Sequence, residues 1–196
     1  NWTTGEFDED GRPVLIDEAV DLALYAVVPG PTGAHNWHPM AFNPDTGLVY
    51  IPVNEIPFFY DKTRNVDDSK SFWNLGYDAA AGWPVEYPAG TLDAIADMDG
   101  GSLLAWDPVK AEPRWAVPFA LPLTGGVLST DAGLVFQGNK FGDLVAYDAE
   151  TGERLWSEQL VGNAAAAPMT YEIDGEQFLS VLSGWGSLSN LVAGFT

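Results

Sequence analysis

Two stretches of this chain are near copies of one another. Residues 101–115 read GSLLAWDPVKAEPRW and residues 142–156 read GDLVAYDAETGERLW, an offset of 41 residues. Gly101, Leu103, Ala105, Trp106, Asp107, Glu112 and Trp115 fall on Gly142, Leu144, Ala146, Tyr147, Asp148, Glu153 and Trp156. A second echo sets Asp45-Thr46-Gly47-Leu48-Val49-Tyr50 against Asp131-Ala132-Gly133-Leu134-Val135-Phe136, at an offset of 86, close to two periods of the first. A period of about 40 to 45 residues, filled with short alternating segments, is the pattern of β-propeller blades. Each blade is a small twisted sheet that cannot bury both faces alone, so it must stack on its neighbours.

The second copy reads strand by strand. Residues 126–130, 134–138, 143–148 and 153–156 are the four expected strands. Asp131-Ala132-Gly133, Asn139-Lys140-Phe141-Gly142 and Glu150-Thr151-Gly152 are their turns, with Gly152 supplying the positive φ that such a turn needs. Trp156, a large stiff hydrophobe, is expected to pack between blades. Residues 168–172 and 177–182 flank Ile173-Asp174-Gly175-Glu176, and Asp-Gly between alternating segments signals a hairpin. Upstream, residues 40–43 and 48–52 form another pair around Pro44-Asp45-Thr46-Gly47. The stretch from about 60 to 99 is irregular and polar and reads as an excursion between strands. No long amphipathic helix is evident. Residues 1–196 therefore read as an all-β partial propeller of roughly four blades, about half of an eight-bladed ring. A self-contained four-bladed ring is the less common closure.

Charge narrows the partners. With 28 acidic against 8 basic residues the formal net charge is -20, which repels nucleic-acid backbones and anionic membrane surfaces. The same charge keeps the chain soluble and could steer a basic protein towards it. There is no cysteine, so disulfides, thiolate metal sites and covalent c-type haem are excluded from these residues. No apolar run reaches the ~20 residues of a membrane span. The chain opens at Asn1-Trp2-Thr3-Thr4 without a leader, which leads to the expectation of a mature piece or a fragment. Asn1-Trp2-Thr3 is formally a glycosylation sequon and reads as a chance match. His35 and His38 are the two histidines, and they read as packing and hydrogen-bonding groups rather than metal ligands. Asp8-Glu9-Asp10-Gly11 and Asp97-Met98-Asp99-Gly100 read as acidic turns; the second lacks the later glutamate of a calcium loop. No nucleophile elbow or phosphate-cradling glycine loop is present.

Four segments carry a family resemblance. Ala146-Tyr147-Asp148-Ala149-Glu150-Thr151-Gly152-Glu153-Arg154-Leu155-Trp156 resembles the tryptophan-docking repeat of the pyrroloquinoline quinone (PQQ) dehydrogenases. Residues 28–42, VPGPTGAHNWHPMAF, resemble the stretch of the quinoprotein alcohol dehydrogenases that carries their Asn-Trp pair. Pro168-Met169-Thr170-Tyr171 with Gly175 and Gln177 resembles their penultimate hairpin, and Ser183-Gly184-Trp185-Gly186 the loop after it. The order and spacing fit the C-terminal part of that propeller.

The resemblance implies oxidation of a small alcohol to an aldehyde by PQQ held with Ca²⁺ or a lanthanide, with electrons passed to a cytochrome c in the periplasm. It implies that Asn36 hydrogen-bonds the cofactor, an amide being able to donate to an anionic oxygen without adding charge. It places Trp37 at the cofactor rim and Trp185 in a bordering loop. Thr124 stands where relatives often carry Asn or Trp, a departure at another cofactor-facing position. The family's catalytic aspartate, metal-binding Glu and Asn, basic residue and stacking Trp all precede the Asn-Trp pair, and nothing among the 35 residues before Asn36 matches them. No catalytic or metal-binding residue is therefore assigned here. The chain is expected to need a missing N-terminal propeller half or to self-associate, and it binds PQQ alone only if this part keeps the cofactor face. The alternative is a non-catalytic propeller scaffold or interaction module.

Overall fold

The computed structural model describes residues 3–16, 24–30, 32–61, 99–120 and 125–184. Among them every regular element is a strand, and none is a helix able to cross a membrane. Contacts divide the chain into one unit of residues 1–34 and 55–98 and another of residues 35–54 and 99–196.

In the first unit β1 (Thr3–Phe7) and β2 (Pro13–Leu15) form an antiparallel hairpin. Its turn is the acidic one anticipated from sequence. The Asp8 carboxylate accepts the Asp10 and Arg12 amides at 3.0 and 2.8 Å. β3 (Leu24–Val27) pairs with β6 (Phe58–Asp61). Tyr60 and Asp61 thus close a strand where an irregular excursion was expected to begin, and the rest of that excursion, residues 62–98, lies outside the described residues.

The second unit holds two four-stranded antiparallel sheets. The first has the order β4 (Ala41–Asn43), β5 (Leu48–Asn54), β7 (Gly101–Asp107), β8 (Glu112–Phe119). The second runs β9 (Val127–Ser129), β10 (Leu134–Gly138), β11 (Asp143–Asp148), β12 (Arg154–Gln159). Chain order and sheet order agree in both, the meander of a propeller blade. A final hairpin joins β13 (Met169–Ile173) and β14 (Glu176–Ser180). Its turn has φ of 52° at Asp174 and 84° at Gly175, the Asp-Gly geometry expected from sequence.

The repeat is visible in detail. The third and fourth strands of both sheets slip register at matching places, between Ala105 and Trp106 and between Ala146 and Tyr147. Both third strands end on an aspartate that caps the next turn. Asp107 accepts the Val109 and Lys110 amides at 3.0 Å, and Asp148 accepts those of Glu150 and Thr151 at 3.0 and 2.9 Å. Both turns close on a left-handed residue, Ala111 at φ 55° and Gly152 at φ 75°.

Alternation along the strands builds the core between these sheets. β5 reads buried at every second residue, and its Leu48 and Tyr50 meet Val127, Val135, Val145 and Ala149 of the second sheet. Two side chains of the first sheet converge on one carbonyl of the second. The Tyr50 hydroxyl donates to the Ala149 oxygen at 3.0 Å, and Trp115 Nε1 donates to the same oxygen at 3.1 Å. The two rings lie 5.7 Å apart, and the Trp115 ring covers Gly152 so closely that a Cβ there would sit 2.7 Å from it. Asn43 adds a second link, donating to Ser129 Oγ at 3.0 Å and to the Thr130 carbonyl at 3.2 Å.

Trp156, the repeat partner of Trp115, behaves differently from expectation: it is 45% exposed. Trp115 is covered because the turn at 149–152 of the following sheet receives it. One period further on, the residues that would receive Trp156 are 190–193, outside the described residues. Trp115→Ala is therefore expected to cost about 3 kcal/mol of stability and Trp156→Ala under about 1 kcal/mol, measured by urea denaturation. Equal costs would show that the two tryptophans are packed alike.

The turn aspartates give a second expectation. Backbone donation from Lys110 holds the Asp107 carboxyl below its ordinary value of 3.8, and the Thr151 hydroxyl does the same for Asp148. A depressed carboxylate adds stability above its unfolded-state pKa, and that stability is lost as pH falls through the folded-state pKa. The melting temperature should thus drop as pH falls below about 4, and drop less steeply in an Asp107→Asn, Asp148→Asn double variant.

Candidate functional site

One end of these sheets gathers the connections that carry the residues singled out by sequence. Antiparallel order brings together the starts of β4 and β9, the loop from β10 to β11, the segment from β12 to β13 and the end of β14. The segment 35–40 enters β4 from this end.

That segment is held at several points. His35 Nδ1 donates to the Pro52 carbonyl of β5 at 2.9 Å. The Asn36 amide oxygen accepts the Trp37 backbone N–H at 2.9 Å, a tight local turn. The Pro39 carbonyl accepts the Val127 N–H of β9 at 2.9 Å. Gly126 makes room for this approach, since a Cβ on it would lie 2.7 Å from Pro39 Cδ and 2.9 Å from Ala167 Cβ. The turn thus spans the first strands of two neighbouring sheets.

Within it Asn36 is half-buried and Trp37 is 61% exposed, its ring presented outwards beside that of His38. His38 is buried, and desolvation, with His35 next to it as the smaller cause, lowers its imidazole below the ordinary 6.5, so it is neutral at pH 7. His35 hydrogen-bonds and His38 packs, each one part of the reading made from sequence. Among the described residues the end face therefore presents the Asn36 amide and the aromatic surface of Trp37. One imidazole, that of His35, ties the loop to β5, and the other, that of His38, is buried. Among the described residues no group of three His, Asp or Glu side chains is placed to hold a metal ion.

The neighbouring loops are seated by small residues. Gly125 N–H donates to the Gly138 carbonyl at 2.8 Å, and Gln137 Nε2 to the Gly125 carbonyl at 2.8 Å. A Cβ on Gly125 or Gly138 would come within 2.2 or 2.3 Å of Ala164. Asn139 closes the β10–β11 loop by accepting the Phe141 and Asp143 amides, both at 2.9 Å. The Ser183 hydroxyl bridges Gly162, donating to its carbonyl at 2.8 Å and accepting its N–H at 3.0 Å. That bond pins the loop leading to Trp185. Trp185 and Thr124 themselves lie outside the described residues, so Asn36 and Trp37 are the two candidate positions whose surroundings are defined.

Sequence reasoning missed the glycine–alanine seam and the bonds of His35 and Ser183. The run Ala164-Ala165-Ala166-Ala167 opposite Gly125-Gly126 was the available signal for the first. A cleft of about 600 Å³ opens elsewhere, between β9–β10 and the β13–β14 hairpin, lined by Thr130, Leu134, Phe136 and Phe178 among others. It lies by the turn at 130–134, at the other ends of these strands, and contains none of the candidate residues.

Comparison with known proteins matches residues 19–179 to the family described as PQQ: glucose/ethanol/alcohol dehydrogenase, β-propeller domain. The quinohemoprotein alcohol dehydrogenase ADH-IIG of Pseudomonas putida is 40% identical over 99% of this chain and 28% of its own length. The solved structure of ADHIIG from Pseudomonas putida HK5 superposes with a TM-score of 0.77 at 37% identity, over 94% of this chain and 28% of that one. The 1-butanol dehydrogenase (cytochrome c) of Thauera butanivorans is 36% identical over 96% of this chain and 27% of its own length. A europium-containing methanol dehydrogenase structure gives a TM-score of 0.68 at 26% identity, covering 94% of this chain and 31% of that one. The chain thus spans between a quarter and a third of the length of these four proteins.

Gly126→Ala should displace Pro39 or Ala167 and cost about 1–3 kcal/mol by overpacking, read as a fall in the urea midpoint. An unchanged midpoint would show that the segment 35–40 can shift freely off β9.

Proposed function

The chain belongs to the PQQ β-propeller family of glucose, ethanol and alcohol dehydrogenases, and from that premise we propose that it is the C-terminal propeller portion of a quinoprotein alcohol dehydrogenase, incomplete without an N-terminal half. The observation that carries this reading is the Asn36–Trp37 turn, clamped between two sheets at the end where their loops converge.

The residues present fit the cofactor in kind. The Asn36 oxygen accepts the Trp37 N–H, and its amide nitrogen is of the donor type that a quinone oxygen calls for. The Trp37 ring, outward and largely exposed, suits the rim of a planar ligand. Trp185 and Thr124 join them on the strength of the resemblance alone. When bound, PQQ supplies the two-electron acceptor that turns an alcohol into an aldehyde, and a Ca²⁺ or lanthanide ion supplies Lewis acidity. This chain's part is to orient the cofactor and to wall one side of its site, while the base and the metal ligands come from the half it lacks.

The electron acceptor on this reading is a cytochrome c, as the name of the Thauera relative says of that enzyme. A formal charge of -20 favours encounter with a basic cytochrome. A periplasmic site of action and the role of Trp115 as a docking tryptophan follow the same family pattern. The apolar faces left open at Trp156 and along Met169, Tyr171 and Ile173 favour association with the missing half or with a second copy.

Titration of the purified chain with PQQ and Ca²⁺, or a lanthanide, followed by tryptophan fluorescence, tests the reading. Saturable, metal-dependent quenching that weakens at least about tenfold in Asn36→Ala is the expected result. Absence of quenching in the unaltered chain would overturn cofactor binding by this portion and leave it a scaffold.

A further inference from the structure

We propose that His35 is a positioning residue for the Asn36–Trp37 turn, acting by completing the edge of β5 where β4 has ended. This rests on the cofactor reading for its functional meaning, but the geometry stands apart from it. β4 pairs with β5 through Ala41 opposite Tyr50 and reaches no further along it. Two residues on, Pro52 faces the same side of the strand, because backbone groups alternate direction with a period of two. It is fully buried and pairs with Leu103 on the other side.

Proline has no N–H, so at this rung β5 presents only an acceptor. A buried carbonyl left without a donor would be costly. No strand continues there to supply one. The His35 ring does, with Nδ1 donating to the Pro52 carbonyl at 2.9 Å. The bond fixes its tautomer, since the nitrogen facing a carbonyl must carry the proton.

The consequence falls on the next residue. A rigid ring with two torsions, anchored on a buried strand, fixes the backbone immediately before Asn36. Three residues after Asn36, the Pro39 carbonyl is fixed by Val127 N–H. The amide thus sits between two anchors, one on each neighbouring sheet, and its own oxygen accepts the Trp37 N–H. Orientation of the donor is set by the loop and not by the ligand, which is the arrangement that avoids an ordering cost on binding.

The test compares His35→Ala and His35→Asn in the full chain. The asparagine amide nitrogen can stand near the place of Nδ1 and keep a donor for Pro52. Two readouts are needed: amide hydrogen exchange at Trp37, and the PQQ titration by fluorescence. His35→Ala is expected to speed exchange at Trp37, to weaken quenching about tenfold and, because it leaves the Pro52 carbonyl without its donor, to lower the melting temperature modestly. His35→Asn is expected to restore both to within about threefold of the unaltered chain. Unchanged exchange at Trp37 in His35→Ala would overturn the proposal, as would failure of His35→Asn to restore it. If the unaltered chain bound no PQQ, the cofactor reading would fall, and the exchange arm alone would still decide whether His35 holds the turn.

Discussion

The carbonyl of Ala149 receives two hydrogen bonds from another sheet, and the arrangement of the second unit depends on it. A carbonyl has two lone pairs, and here Tyr50 Oη and Trp115 Nε1 take both. The donors come from the second and the outermost strand of one sheet, so together they fix its distance and its tilt against the next. Apolar burial around them supplies most of the free energy, but it is not directional. Any other docking would strip the Trp115 N–H of its partner and leave the Tyr50 hydroxyl only Thr46 Oγ1, 2.9 Å away in its own sheet, which is costly. That requirement also explains why Gly152 lies under the indole ring, where any Cβ would collide.

The repeat made the blades on either side of this interface legible in the sequence, but not the bonds across it. The offset of 41 residues placed the aspartate caps, the left-handed turn residue and the tryptophan in register, and all of these recur in both sheets. It did not distinguish Trp115 from Trp156. Docking is a property of two successive blades, and a residue pattern within one blade does not show whether the receiving turn follows. β6 was invisible for a related reason. It completes no repeat, and its partner β3 lies more than thirty residues away in a different sequence context.

The candidate site was legible only in part, and the physical reason is the same. Asn36 and Trp37 were found by resemblance. Neither the hydrogen bond of His35 to a carbonyl 17 residues away nor the seat of Pro39 on Gly126 leaves a local mark in the sequence. A polar loop residue spends its chemistry on whatever the fold brings near. Pro52 in a strand is a hint in hindsight, because it creates an acceptor with no matching donor beside it. The alanine run at 164–167 is another, because small residues are what close backbone approach demands.

The division of labour at this end face follows from what the side chains have already been used for. His35 is bound to a backbone carbonyl and His38 is buried and neutral. The buried His38 is not placed to move a proton to or from a ligand at the Asn36 position, since proton transfer needs an accessible group. Among the described residues of this face, Asn36 and the exposed indole of Trp37 are groups that can bind and orient without adding charge. In a ring of blades each loop contributes to a shared end face, so one segment can specialise in holding a ligand while others carry the acid–base and metal chemistry. On the proposed reading, a chain that spans 28% of the ADH-IIG relative holds part of the cofactor's site and leaves the acid–base and metal chemistry to the remainder.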